Sequence, residues 1–341
     1  MSPPNKSFAE CIHLEKLDAN TYKAELDGSF AIGAVPNGGY SASCVLAAAR
    51  AHLTERGQTD TLNVHYEFVT AVGVGPAIIT VEEVKIGRTL STLHVTLWQG
   101  KGMLKEAPWI TRSETKRCIL AYATQTNFKT LGGYSIETGF KQLDQQTRPA
   151  KPDLEALLRD GKVNLWRESL PPAGSVARSN DFWRMFVPSE GPFSPGVLDV
   201  WMCTRSGEPI KQEMMPFVVD SVPYDMTTFT VTPEMYAAHR NKDIARNSAA
   251  KRDELEERKK ERAGFWFPTV VLDLENKATL PAEGVRWVNM RLTIKLMENG
   301  RFDMNVMMRD EQGAIIAASN QVALIISMER NLRNGKKKAS L

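Results

Sequence analysis

The sequence lacks any pair of cysteines spaced to clamp a metal. Cys11, Cys44, Cys118 and Cys203 are scattered over 341 residues, with no C-x-x-C among them. The five histidines, His13, His52, His65, His94 and His239, show no ligand spacing either. Neither a metal site nor a disulfide framework is therefore expected, and buried thiols in a reducing compartment are. No apolar run approaches the roughly 18–20 residues of a membrane span. The opening "MSPPNKSFAE" lacks the apolar stretch of a signal peptide, and the final Ala339-Ser340-Leu341 lacks the basic middle residue of a peroxisomal address. A cytoplasmic protein with no membrane partner is expected. Charge is nearly balanced, with 43 basic and 40 acidic side chains, so no nucleic-acid footprint appears. G-x-S-x-G, G-x-G-x-x-G and P-loop patterns are all missing, which argues against serine-elbow hydrolysis and against a nucleotide cofactor. No cofactor is implied.

What is present begins with "PNGGYSASCVLAAARAHL", residues 36–53. Between Tyr40 and Ala49 this segment has no charge, so its helix must be wrapped by protein on most sides. Gly38 and Gly39 expose backbone N–H groups at its start, which suits either close packing or a seat for a polarised carbonyl. Four β-rich runs follow, "LNVHYEFV", "PAIITVEEV", "RTLSTLHVTLWQ" and "RCILAYATQTNF". The second part of the chain repeats this order. "GVLDVWMC" reads as a strand and "GEPIKQEMMPFVVDSVP" as a helix ending near Pro223. "PTVVLDLENK", "VRWVNMRLTIKLM", "RFDMNVMMRD" and "AIIAASNQVALIIS" read as strands. Val288, Met290, Leu292, Ile294 and Leu296 alternate onto one face, as do Phe302, Met304, Val306 and Met308.

Helix-then-meander, written twice, predicts a pseudo-two-fold α+β protein. The expected divisions are 1–128, a connector with a short helix over 129–195, a second unit over 196–330 and a basic tail over 331–341. A charged insertion at about 231–262 reads as a solvated helix, with a lid over a nearby pocket as the alternative.

These segments carry a resemblance. "PNGGY", "VVDSVP", "WFPTVVLDLE", "LPAEGVRW", "NGRFDMNVMMRDEQG" and "AASNQVALI" resemble the thioesterase-like, double-hotdog superfamily, nearest to its filamentous-fungal members and more distantly to acyl-CoA thioesterase II enzymes. The resemblance implies curved antiparallel sheets, each wrapped around a central helix and joined in one unit. It also implies an Asp after the second helix, a Ser or Thr on the next strand and a Gln on the last strand, together positioning a water. Asp220 and Gln321 match the first and third. The second falls at Val271, which cannot hydrogen-bond through its side chain, and Thr269, two residues earlier and hence on the same strand face, is a partial substitute.

Asp220 follows "MMPFVV", so a carboxyl raised by burial and fit to act as a general base is expected; a cap or hinge before "SVP" is the plainer role. Gln321 and its neighbour Asn320 interrupt an apolar strand, and one of the two should face inward, for catalysis or merely to satisfy the backbone. Gly38, Gly39 and Tyr40 are candidates for the substrate carbonyl, and His65 and His94 for lining the pocket. The expected partner is an acyl thioester or a natural-product intermediate. Hydrolysis of a CoA- or carrier-bound acyl or polyketide chain is the first expectation. A dehydratase, isomerase or cyclase is the alternative that Val271 favours, and a binding protein without turnover is the third. Both a monomer and a homo-oligomer fit one chain that already pairs its own two units.

Overall fold

The computed structural model describes residues 6–171, 175–189, 194–223 and 264–332. Helices α1 (Phe8–Cys11) and α2 (Gly38–His52) belong to the first unit. Its strands are β1 (Leu14–Lys16), β2 (Thr21–Leu26), the short ribbon β3 (Ala31–Ile32) and β4 (Val35–Pro36), β5 (Asp60–Phe68), β6 (Gly75–Lys85), β7 (Ser91–Gln99) and β8 (Lys116–Thr126). The middle of the chain supplies α3 (Phe140–Gln146), α4 (Leu154–Asp160), β9 (Lys162–Val163), β10 (Trp166–Glu168) and β11 (Trp183–Pro188). The second unit has β12 (Val197–Thr204), α5 (Met215–Val219), β13 (Phe265–Trp266), β14 (Thr269–Asn276) and β15 (Val288–Thr293). It closes with β16 (Met297–Glu298), β17 (Arg301–Arg309), β18 (Ile315–Leu324) and β19 (Ile326–Ser327).

One large antiparallel sheet holds nearly all of these strands, in the order β1-β2-β6-β7-β8-β5-β14-β18-β17-β15-β12-β11-β10-β9. Outward from the β5–β14 seam the two directions read alike. On one side lie β5, β8, β7, β6 and β2; on the other lie β14, β18, β17, β15 and β12. In each unit the strand farthest out precedes the helix in sequence and the strand at the seam follows it. The seam itself is a ladder from Val271 opposite Glu67 to Glu275 opposite Asn63. Alternation decides the faces. Leu272 and Leu274 point inward with Tyr66 and Val64 opposite them, while Asp273 and His65 pair on the outer face.

The helices sit on the inner face. In α2 every residue from Gly39 to Leu46 is buried, and Asn37 caps the helix by accepting from Tyr40 N at 3.0 Å. The small side chains let α5 approach. A Cβ at Gly39 would lie 2.4 Å from the Pro216 carbonyl oxygen and 2.6 Å from Asp220 Cβ, so only glycine fits there. Helix α5 is much shorter than the sequence suggests. The expected helix over 207–223 is a 3-10 turn, Gln212–Met214, followed by five α-helical residues that start at Met215-Pro216 and stop at Asp220.

The connector is likewise more than a linker. Strand β11 pairs with β12 (Trp183 opposite Thr204), so the sheet runs on into residues assigned to the connector. Helix α4 covers the outer face there, with Leu154 and Leu157 packing on Trp166, Phe186, Trp201 and Trp287. Beside them Asp144 of α3 forms ion pairs with Arg309 at 2.7 Å and Arg148 at 3.1 Å, and Arg291 holds Asp199 through two bonds of 2.9 and 3.0 Å. The four cysteines are buried thiols. No helix among the described residues is long and apolar enough to cross a membrane. The 231–262 insertion lies outside the described residues, and the basic tail lies outside them beyond Leu332.

Candidate active site

A cavity of about 200 Å³ opens where the N-terminus of α2 meets the end of α5. Its wall includes Gly38, Phe68, Asn180, Asp220, Thr269, Phe302, Met304, Gln321 and Ala323, so both units and the middle segment contribute. Most of the lining is apolar, and the polar groups converge on one carboxylate.

Asp220 ends α5 and turns back toward α2. Its Oδ2 accepts the Gly39 N–H at 2.7 Å, and its Oδ1 accepts the Thr269 hydroxyl at 2.8 Å. Burial pushes the carboxyl up to about 6, with the Thr269 and Gly39 donors pulling the other way. A carboxyl poised there is half protonated near pH 6 and mostly ionised at neutral pH, which suits it to accept a proton.

Thr269 reaches Asp220 by a route that alternation does not predict. Between Thr269 and Val271 the β14–β18 register slips by one residue, a β-bulge at Val270. Val271 therefore shares the outer face with its ladder partners Glu67 and Val322, whereas Thr269 faces inward opposite Ala323. The sequence reading placed both residues on one face; the bulge separates them and turns the hydroxyl to the acid.

Gln321 is 4 % exposed and donates through Nε2 to the Val219 carbonyl at 2.8 Å. Among the described residues nothing donates to its Oε1. Asn320 takes the other face of β18, where it is exposed and bonds Asn305; alternation settles which of the two amides is internal.

The N–H groups of α2 account for the glycines. Gly39 N–H is committed to Asp220, Tyr40 N–H to the Asn37 side chain and Ser41 N–H to the Asn37 carbonyl. Gly38 N–H, at the cavity wall, meets no acceptor among the described residues. The N–H left open at the cavity wall is thus that of Gly38, whereas the Gly39 N–H is spent on Asp220.

Tyr40 is corrected. Its ring stacks on Phe30 at 4.4 Å, and its hydroxyl donates to the Cys11 carbonyl at 2.8 Å, away from the cavity. Two helical residues past Gly38, it projects into the aromatic core. His65 and His94 are corrected too. His65 Nδ1 lies 2.6 Å from Asp273 Oδ1 on the outer face, and His94 stacks on the exposed Tyr122 at 4.7 Å. Asn180 was missed. It comes from the 3-10 turn Arg178–Phe182, lines the cavity and donates through Nδ2 to the Val222 carbonyl at 3.1 Å. Nothing in "ARSNDFW" signals this, because the contact exists only once the middle segment folds back over the end of α5.

Comparison with known proteins gives this geometry a context. Residues 26–126 match the acyl-CoA thioesterase N-terminal domain and residues 155–325 the acyl-CoA thioesterase C-terminal domain. The chain belongs to the acyl-CoA thioesterase family. Thioesterase-like protein TwmA of Talaromyces wortmannii is 45% identical over 338 residues, covering 98% of this chain and 97% of that one. Among solved structures, a putative thioesterase II from Thermobifida fusca superposes with a TM-score of 0.61 at 18% identity, over 94% of this chain and 97% of the other. A hot dog protein of unknown function from Alicyclobacillus acidocaldarius does so with 0.63 at 14% identity, over 95% and 99%. These low identities show a shared hotdog fold. Within this thioesterase family frame, the second family match begins at residue 155 and so takes in α4, β10 and β11, in accord with their place on the sheet.

Proposed function

We propose that the protein hydrolyses acyl thioesters carried on CoA or an acyl carrier, with Asp220 as the general base. The observation that carries this reading is a single carboxylate, raised by burial and fixed by Thr269 and Gly39, in an apolar cavity that spans two hotdog units. The repeated strand order on either side of the β5–β14 seam supports reading those units as a double hotdog.

In this reading a water donates one hydrogen to Asp220 and the other to Gln321 Oε1, while the Thr269 hydroxyl holds the carboxylate in place. As the water oxygen attacks the thioester carbon, Asp220 takes its proton. The carbonyl oxygen becomes an oxyanion facing Gly38 N–H at the positive end of α2. Collapse of the tetrahedral intermediate breaks the C–S bond, and the departing thiolate recovers the proton from Asp220. Acid and free thiol leave.

Val271 loses its weight as an argument for non-hydrolytic chemistry, because the hydroxyl it lacks is supplied by Thr269 across the bulge. The test is free-thiol release from acetyl-, hexanoyl-, decanoyl- and palmitoyl-CoA by wild type and Asp220→Asn. Release that depends on Asp220 is expected. No release from any of the four by the folded wild type would overturn the reading.

A further inference from the structure

The cavity has a graded depth. At its mouth stand Ala71, exposed, and Phe265, 45 % exposed. At the far end Phe302, Met304 and Ala323 are 2–3 % exposed. A charged carrier cannot be stripped of water to enter that end, whereas hydrocarbon gains by doing so. The acyl chain therefore points at β17 and β18, and the carrier stays at the mouth.

The ladder says how far the chain can run. Thr269, Ala323 and Phe302 are consecutive partners on one rung across β14, β18 and β17. At a strand spacing of about 4.8 Å, Phe302 stands about 10 Å from Thr269, two strands over. The residue between them is alanine, so the rung has an acid-binding hydroxyl at one end, a trough in the middle and a ring at the other end. The next inward-facing rung, Leu272, Gln321 and Met304, gives the trough one side. Phe302 is held as a wall. Its ring packs edge-on against Phe267, with centroids 5.9 Å apart and planes at 75°.

We propose that Phe302 sets the length of acyl chain that this protein accepts, admitting short and medium chains and stopping longer ones. The inference rests on the thioester reading above and names the substrate class for it. A chain that fits over Ala323 gains affinity with each methylene it buries, roughly fourfold per methylene. A chain that meets Phe302 gains nothing further, because a ring braced by Phe267 cannot step aside without breaking a packed contact.

The test is calorimetric binding of a homologous series of straight-chain S-alkyl-CoA thioethers, which cannot be hydrolysed, to the full-length protein. Wild-type affinity should rise with chain length and then level off at a medium chain. In Phe302→Ala the plateau should move several carbons further, with the longest thioether binding at least tenfold more tightly than to wild type. Ala323→Leu, which fills the trough, should move the plateau to shorter chains and serves if Phe302→Ala does not fold. An unmoved plateau in both variants, or failure of every thioether to bind, would overturn the proposal. Thioether binding with the expected plateau but no thiol release from acyl-CoAs would sink hydrolysis and leave the length assignment standing.

Discussion

At the scale of single residues, Asp220 carries a buried carboxyl that costs stability, and the same carboxyl is the base of the proposed reaction. Its pKa rises from 3.8 unfolded to about 6 folded. Between those values the folded state holds more protons than the unfolded one, so stability falls as pH rises through the window and levels off above it. Most of the cost is gone by pH 4, and none remains well below 3.8, where both states are protonated. The upper bound is roughly 3 kcal/mol, reduced by whatever water the cavity keeps at the carboxylate. Asp220→Asn retains an acceptor for Gly39 N–H and removes the charge. Its melting temperature should match wild type at pH 4 and exceed it at pH 8, as thermal unfolding at the two pH values will show. A variant less stable than wild type at pH 8 would mean that the ionised carboxylate is a net stabiliser.

At the scale of elements the bulge in β14 is the device that builds the site. Thr269→Val leaves the bulge and deletes one donor to Asp220, so the acid should titrate higher and the midpoint of the rate–pH profile should move upward, with turnover reduced. Deleting Val270 instead removes the extra residue and leaves Thr269 next to Val271, still opposite Ala323 and facing inward. That variant should keep its far-ultraviolet circular dichroism and more activity than Thr269→Val; a folded deletion less active than Thr269→Val would contradict the claim that facing alone brings this hydroxyl to Asp220.

Bulges also mark where the sequence stopped being readable. Strands and their order were legible, since inward positions such as Val288, Met290 and Leu292 alternate cleanly. Asp220 and Gln321 were legible as polar interruptions of apolar runs. Thr269 was found for the wrong geometric reason, because one inserted residue reverses facing and leaves no signature in composition. Tyr40, His65 and His94 were misplaced because residue type says nothing about which side of a helix or sheet meets the cavity. The 3-10 turn that shortens α5 and the strands inside the connector were lost in segments dense in proline and charge.

At the scale of the whole molecule, the two-fold repeat shows why the Thr269-lined cavity of the second unit has no counterpart at Thr61 among the described residues. Strand β5 carries a bulge between Thr61 and Asn63 just as β14 does between Thr269 and Val271. In the first unit, however, the residue opposite the threonine is Gln125 where the second has Ala323. Thr61 and Gln125 exchange hydrogen bonds of 3.0 and 3.2 Å and are buried. The trough is filled with a satisfied polar pair, and no acid takes the place of Asp220.

The same scale shows what fixes the middle segment. Asp144 is the partner of the fully buried Arg309 and also touches Arg148 and Arg291. Removing one member of a buried pair strands the other's charge, so Asp144→Ala should cost about 3–5 kcal/mol and expose residues 129–170 to protease. Unchanged melting and cleavage would show that α4 packing alone holds the segment.

Hydrolysis by Asp220 is tested most directly by the pH dependence of kcat/KM for thiol release, in wild type and in Asp220→Asn. Wild type should show a rising limb with its midpoint near pH 6, and the variant should be slower by roughly 100- to 10,000-fold with that limb gone. A folded Asp220→Asn that keeps both the rate and the limb would contradict the assignment of Asp220 as the base.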